Sequence, residues 1–292
     1  MYQENDIKQL VRDVLSDLLA NEAAPQTAAK TAPAAAVVEA GFVPDFTAVT
    51  TKEEFHVPDP ADKQGYLDMK EYTVARLGVW RAGPRYNTWS MLHFRADHAT
   101  AQDAVFTDVD DAFVKSQGFV AGQSVCTSKD EFLTRPDLGR KLSDETKALF
   151  KKELQSGAKV TLMVGDGLSS AAMANIPDII PAIKQGLKGY GIDVGPIPFV
   201  KYCRVGAMDD VGEILGSEVV CVLIGERPGL ATGESMSAYM GYKPSAERAE
   251  SWRTVVSNIY SGGTPPAEAG AHIAALIKKI LDAKVSGVDL SL

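Results

Sequence analysis

Polar chemistry is concentrated in three short stretches of this chain. At Gly225-Glu226-Arg227-Pro228-Gly229 a carboxylate and a guanidinium stand side by side in a Pro/Gly turn, a pairing suited to a polar ligand. Gly165-Asp166-Gly167-Leu168-Ser169-Ser170 offers glycines that let a ligand approach the backbone. Its Ser169 is placed to cap a following helix, whose free N–H groups attract phosphate. A third stretch, Gly206 followed by Asp209 and Asp210, supplies two more carboxylates. Each has a plainer reading: a Glu–Arg pair can simply close a loop, and a Gly-rich turn can be only a tight turn. The spacings exclude a P-loop, the full Gly-x-Gly-x-x-Gly fingerprint and a nucleophile elbow. His56, His93, His98 and His272 fall in no metal-ligand pattern and read as surface or packing residues. Cys126, Cys203 and Cys221 form no Cys-x-x-Cys, and Cys221 reads as core. No catalytic dyad emerges.

These stretches need strands to present them. Lys159–Val164, Pro198–Val205 and Val219–Ile224 are apolar, β-branched runs, and each ends at one of the polar turns. The run from Val219 has the composition of a strand buried on both faces. Helical patterns intervene at Ile176–Lys188 and Asp209–Leu215, and a last one runs from Pro266 to Lys284. Strand–helix alternation predicts an α/β fold with a Rossmann-like, mostly parallel sheet in residues 158–292. Ligands of such sheets lie beyond the carboxyl ends of the strands, where the three polar turns converge.

Before residue 158 the texture is mainly helical. Helices are expected over Leu67–Val79, from Thr88 as cap through Val105, over Asp111–Gln117 and over Ser143–Ser156. Residues 46–157 therefore read as a mainly helical domain. Residues 1–20 carry Ile7, Leu10, Val11, Val14, Leu15, Leu18 and Leu19 on one stripe of an amphipathic helix. Residues 21–45, rich in Ala and Pro, read as a flexible linker. A short sticky helix on a tether is expected to dock on a partner, with folding back onto its own domain as the alternative.

The chain has 292 residues and a formal net charge of −8, which argues against nucleic acid or an anionic membrane as partner. No apolar run approaches the roughly 20 residues that cross a bilayer. Three cysteines, an odd number, suit a reducing cytosol. The acidic N-terminus does not read as a secretory signal.

Seven motifs in order carry a resemblance. They are Arg81-Ala-Gly-Pro-Arg85, Phe94-Arg-Ala-Asp-His98 with Gln102-Asp-Ala-Val105, and Leu133-Thr-Arg-Pro-Asp137. Then come Gly165-Asp-Gly-Leu-Ser169, Arg204-Val205, Ile224-Gly-Glu-Arg-Pro-Gly229, and Ser257-Asn-Ile259 with Gly262-Gly-Thr-Pro-Pro266. Over roughly residues 65–292 the set resembles the small (light) subunit family of ethanolamine ammonia-lyase. The resemblance implies a subunit that helps hold adenosylcobalamin at the interface with a large catalytic subunit, where ethanolamine becomes acetaldehyde and ammonia by a radical route. It implies cofactor contacts at Val205, Glu226 and Val255. Relatives often have cysteine at the last position, so Val255 is a departure. Asp166, Gly167 and Ser169 join these as crevice candidates. No Asp-x-His-x-x-Gly is present, so base-on binding is expected, with no cobalt ligand from this chain. The terminal helix resembles the peptide that sends such subunits into the bacterial ethanolamine-utilisation microcompartment, implying a shell or cargo partner for residues 1–20. Two other readings stay open: a self-sufficient nucleotide-binding α/β enzyme, and a non-catalytic microcompartment assembly protein.

Overall fold

The computed structural model describes residues 52–291. The expected docking helix, the linker and all other residues up to 51 lie outside them. The described chain begins with helix α1 (Lys63–Glu71), the two-residue strands β1 (Arg81–Ala82) and β2 (Arg85–Tyr86), and helix α2 (Thr88–Phe106). It continues through α3 (Asp111–Ser116), β3 (Val120–Gln123), α4 (Lys129–Thr134) and α5 (Asp144–Glu153). Then follow β4 (Val160–Gly165), α6 (Ile176–Gly189), β5 (Pro198–Lys201), α7 (Ala207–Leu215) and β6 (Val219–Gly225). Strands β7 (Met236–Tyr242) and β8 (Thr254–Ile259) and helix α8 (Pro266–Ala283) complete it.

Six strands form one mixed sheet in the order β3-β5-β4-β6-β7-β8. The β3–β5, β5–β4 and β4–β6 pairs are parallel, and β6–β7 and β7–β8 are antiparallel. The fold is α/β, as expected. β3 lies before residue 157, so the sheet draws one strand from the segment read as mainly helical. β7 and β8 were not anticipated. β7 does carry a period-two signal, with Met236, Ala238, Met240 and Tyr242 on one face, whereas most of β8 is open to solvent.

Two apolar layers sandwich the sheet. On one face Ile176, Ile179, Ile183 and Leu187 of α6 and Ile273, Ile277 and Ile280 of α8 pack on Leu162, Val164, Cys221, Leu223 and Ala238. On the other, Phe150 and Leu154 join Met208, Val211 and Leu215 of α7 over Met163, Val200, Val220 and Val222. Every residue of β4 and β6 is buried. The faces explain the crevice: α6 follows β4 on one side, α7 follows β5 on the other, and strand order reverses at the β4–β6 boundary.

Helix starts follow local chemistry. Ser143 caps α5 by accepting from Thr146 N, with Asp144 and Glu145 in the first turn and Lys151 and Lys152 in the last. Asn87 rather than Thr88 caps α2, accepting from Ser90 N at 2.9 Å. The helix expected over Leu67–Val79 ends at Glu71. There the buried Lys70 ammonium donates to Glu54 O and Leu77 O, folding the chain back through Gly78 at φ 73°. Around Gly83-Pro84 the expected helix break is a small antiparallel hairpin.

Candidate crevice at the strand ends

Beyond the carboxyl ends of β4, β5 and β6 lies a cavity of about 300 Å³. Gly167, Leu168, Arg204, Val205, Glu226 and Arg227 line it, together with Ser237 and Tyr239 of β7 and Ser257 of β8. Three of the predicted site residues, Gly167, Val205 and Glu226, thus meet there. A larger open hollow of about 770 Å³ lies by β3 and the start of α5, with Asp111, Asp144 and Glu145 on its wall. It collects carboxylates but no convergent opposite charges beyond Lys201, and none of the predicted site residues.

Glu226 is the best-positioned group in the crevice. Ser235 Oγ donates to Oε2 at 2.6 Å, Asn258 N donates to Oε1 at 2.9 Å, and Ser237 Oγ donates to Oε1. A carboxylate has roughly four acceptor positions, so one remains for a ligand donor. Ser235 and Ser237 flank the start of β7 nine and eleven residues after Glu226, and their i, i+2 spacing was the available signal for a shared target. The sequence does not show that they hold Glu226.

Arg204 supplies the opposite charge. Its guanidinium lies 4.4 Å from the Phe132 ring centroid and donates to Phe132 O at 2.9 Å. Nε is buried and meets no acceptor among the described residues. Burial, with the Arg227 cation nearby, pulls this guanidinium below its ordinary pKa.

Asp166 and Ser169 stand behind the lining. Both Asp166 oxygens accept backbone N–H groups, from Tyr202 at 2.7 Å and Cys203 at 2.8 Å. Burial pushes this carboxyl up to about 6 against the pull of those two bonds. The strand expected to reach Val205 stops at Lys201, because Tyr202 turns into the left-handed region at φ 55° and gives its N–H to Asp166. Asn258, at φ 61°, does the same for Glu226. Each carboxylate is matched to one unusual backbone turn. Ser169 does not cap a helix. Its hydroxyl donates to Gly233 O, and a 3₁₀ segment, Ser170–Asn175, follows it without a side-chain cap. Asp209 and Asp210 are structural: Asp209 pairs with the buried Arg253 at 2.6 Å, and Asp210 accepts from Leu142 N at 2.7 Å.

Glycine is required at two points. Gly167 has φ 63°, and a Cβ there would stand 2.3 Å from Gly225 O. A Cβ on Gly225 would stand 2.2 Å from Ser169 O. The two strand-end turns meet main chain to main chain.

Val255 lies just outside the cavity, 44% exposed on β8 and in register with Tyr239. Tyr239 packs at the edge of the α5/α7 layer, and Val255 and Ser257 continue that face of the sheet into solvent. The crevice therefore borders a platform on which Val255 and Ser257 are exposed among the described residues.

The family model for the ethanolamine ammonia-lyase light chain (EutC) matches residues 63–291. The chain belongs to this light-chain family. It is 53% identical to the ethanolamine ammonia-lyase small subunit of Listeria innocua over 98% of this chain and 99% of that one. It is 54% identical to that of Clostridioides difficile over 98% and 99%. The Clostridium tetani small subunit is 51% identical over the full length of both chains. For a light chain, the crevice gathers two of the three positions carried over by resemblance, Val205 and Glu226, and puts the third, Val255, on the platform beside them. The light-chain motif Leu133-Thr-Arg-Pro-Asp137 has its own place, since it follows Phe132, whose carbonyl and ring hold Arg204.

Proposed function

We propose that this chain is the cofactor-holding small subunit of an adenosylcobalamin-dependent ethanolamine ammonia-lyase, acting with a large subunit that carries the substrate site. The observation that carries the reading is the Glu226 carboxylate, fixed by three donors at the mouth of a crevice that opens onto the β7–β8 platform. The donor set fits the cofactor's chemistry. Glu226 would accept from peripheral amide N–H groups, and the Arg204 guanidinium on the crevice wall would face a carboxamide or phosphate oxygen. A corrinoid is much larger than a cavity of about 300 Å³. Val205, Tyr239 and Val255 would hold the part that the crevice does not admit. When bound, the cofactor supplies radical chemistry through homolysis of its Co–C bond, and this chain's residues hold and orient it.

Cofactor contacts are assigned to Val205, Glu226, Val255 and Gly167. Asp166 and Ser169 act from behind, Asp166 by fixing the Tyr202–Cys203 turn and Ser169 by tethering Gly233. Val255 in place of cysteine leaves apolar contact at the platform. None of the four histidines lines the crevice, which supports base-on binding with no cobalt ligand from this chain. We read the β4–β6 unit as Rossmann-like on its reversal of strand order, residues 158–292 as the cobalamin-binding part, and residues 46–157 as the subunit-contact part. Residues 1–20, on the 21–45 linker, are assigned to docking in an ethanolamine-utilisation microcompartment within the bacterial cytoplasm. Among the described residues no helix is long and apolar enough to cross a membrane.

The subunit-contact assignment rests on exposed apolar side chains. Tyr66, Met69 and Tyr72 on and after α1, and Leu92, Phe94 and Phe106 on α2, are all exposed. Exposed large apolar side chains of this kind suit a protein interface, and a small subunit implies a large-subunit partner.

The test is a spectroscopic titration of adenosylcobalamin with this chain, with the large subunit, and with both, alongside ethanolamine-dependent acetaldehyde formation. Binding and turnover only in the mixture, with binding weakened by Glu226→Ala, is the expected result. Turnover by this chain alone would favour the self-sufficient enzyme. Binding that ignores Glu226→Ala would overturn the crevice. Deletion of residues 1–20 is expected to abolish cargo loading and leave cofactor binding intact.

A further inference from the structure

The loop from Arg227 to Glu234 joins β6 to β7 and hangs from Glu226. Its base is closed by Glu226 N donating to Ser235 O at 3.0 Å and by the Ser235–Glu226 side-chain bond. Its far side is held by Ser169 Oγ on Gly233 O and by Asn175 Nδ2 on Glu234 O at 2.7 Å. Its tip reaches the layer that carries the exposed apolar patch. Gly233 sits against Ala104 of α2, where a Cβ would meet that of Ala104 at 3.2 Å, and Arg76 Nη2 donates to Leu230 O at 3.4 Å.

Arg76 is not a loose surface cation. Its Nη2 also donates to Asp97 of α2, and its guanidinium lies 5.7 Å from the ring centroid of the exposed Phe94. Behind Asp97, His93 Nε2 stands at 3.6 Å, and His93 Nδ1 lies 2.8 Å from the buried Glu54. Lys70 holds the turn that presents Arg76 through its bond to Leu77 O. A contiguous polar chain thus runs from Glu54 through α2 to the loop whose base positions Glu226. We infer that Arg76 is a positioning residue that couples docking of the large subunit on α2 to the set of Glu226 in the crevice. A partner that presses on Phe94 biases the Arg76–Asp97–Leu230 contact, and the cofactor groups held by Glu226 feel the same bias. Coupling of this kind is reciprocal, so cofactor binding tightens the docking layer in turn. The inference rests on the crevice reading above.

The experiment uses the full chain with and without the large subunit, as wild type, Arg76→Ala, Asp97→Asn, Glu226→Ala and Arg76→Ala/Glu226→Ala. Hydrogen exchange of residues 227–234 in the chain alone reads the tie without any cofactor. Both Arg76→Ala and Asp97→Asn should speed it roughly five-fold, the low end of measured couplings. Adenosylcobalamin affinity in the complex should weaken by roughly the same factor in Arg76→Ala and by no further step when Arg76→Ala is added to Glu226→Ala. Unchanged exchange in both Arg76→Ala and Asp97→Asn overturns the inference. So does faster exchange with unchanged affinity in Arg76→Ala when Glu226→Ala still weakens binding. Should Glu226→Ala leave cofactor binding untouched, the crevice reading fails and the coupling to cofactor falls with it, while the exchange data still judge the tie.

Discussion

β6 and α2 are opposites. All seven residues of β6 are buried, with apolar layers on both faces. Of the nineteen residues of α2, four are buried, and these are the small or polar Ser90, His93, Ala101 and Ala104. Of the large apolar side chains of α2, Trp89, Leu92, Phe94 and Phe106 are exposed, and Met91 and Val105 are half-buried. A strand in this position completes its packing within the chain. A helix that buries its small residues and displays its large ones is waiting for a second surface. The described chain therefore joins a sheet that packs within itself to a helix whose large apolar side chains stay exposed.

The largest effect should come from the self-sufficient side. Leu223→Ala removes a fully buried side chain from the α6/α8 layer and should cost about 2–5 kcal/mol in a urea titration of the isolated chain. A loss below about 1 kcal/mol would mean that the sheet, too, depends on a partner.

Asp166 gives the next effect, with a defined sign. Its carboxyl titrates at about 6 when folded against an ordinary 3.8. Between those values the folded chain binds the extra proton. Stability should therefore fall as pH rises from about 4 to 6, by about 3 kcal/mol in total. The measurement is wild type minus Asp166→Asn across that window. A flat or rising difference would show that the two backbone bonds outweigh burial, and that the crevice floor costs the fold nothing.

The proposed docking layer should behave in the opposite way. Tyr72→Ala and Leu92→Ala should leave the stability of the isolated chain within about 0.5 kcal/mol. Together they should weaken association with the large subunit by about 2 kcal/mol, roughly thirty-fold, in a pull-down titration or calorimetry. Destabilisation of the free chain with unchanged association would erase the contrast between the two regions.

The smallest effect sharpens the crevice itself. Ser237→Ala removes one of three donors to Glu226 and should weaken adenosylcobalamin binding by about 1 kcal/mol, leaving thermal stability nearly unchanged. A change in stability without a change in binding would make the serine part of the scaffold only.

Elements with local signals were legible in the sequence. The Ser143 cap with its charged ends, the apolar run of β6 and the Ile stripes of α6 and α8 all follow from neighbours a few residues apart. Glu226 was found because it follows a buried strand directly. What escaped depends on distance along the chain. Asp166 has the look of a ligand group, but its acceptors are spent on amides 36 and 37 residues away. Lys70, a surface residue by type, ends α1 early because carbonyls at Glu54 and Leu77 reach it. β8 escaped because an edge strand with one open face lacks the apolar alternation that marks a covered one.

The backbone-on-backbone contact of Gly167 with Gly225 fixes how far the crevice can evolve. No side chain separates the two walls, so substitution at either glycine cannot narrow or widen the gap by degrees; it can only force the turns apart. Adaptation of the crevice to a different ligand would have to be written at the rim, in Arg227, Tyr239 and Val255. A saturation library across this region would show a floor that accepts nothing beside a rim that accepts much.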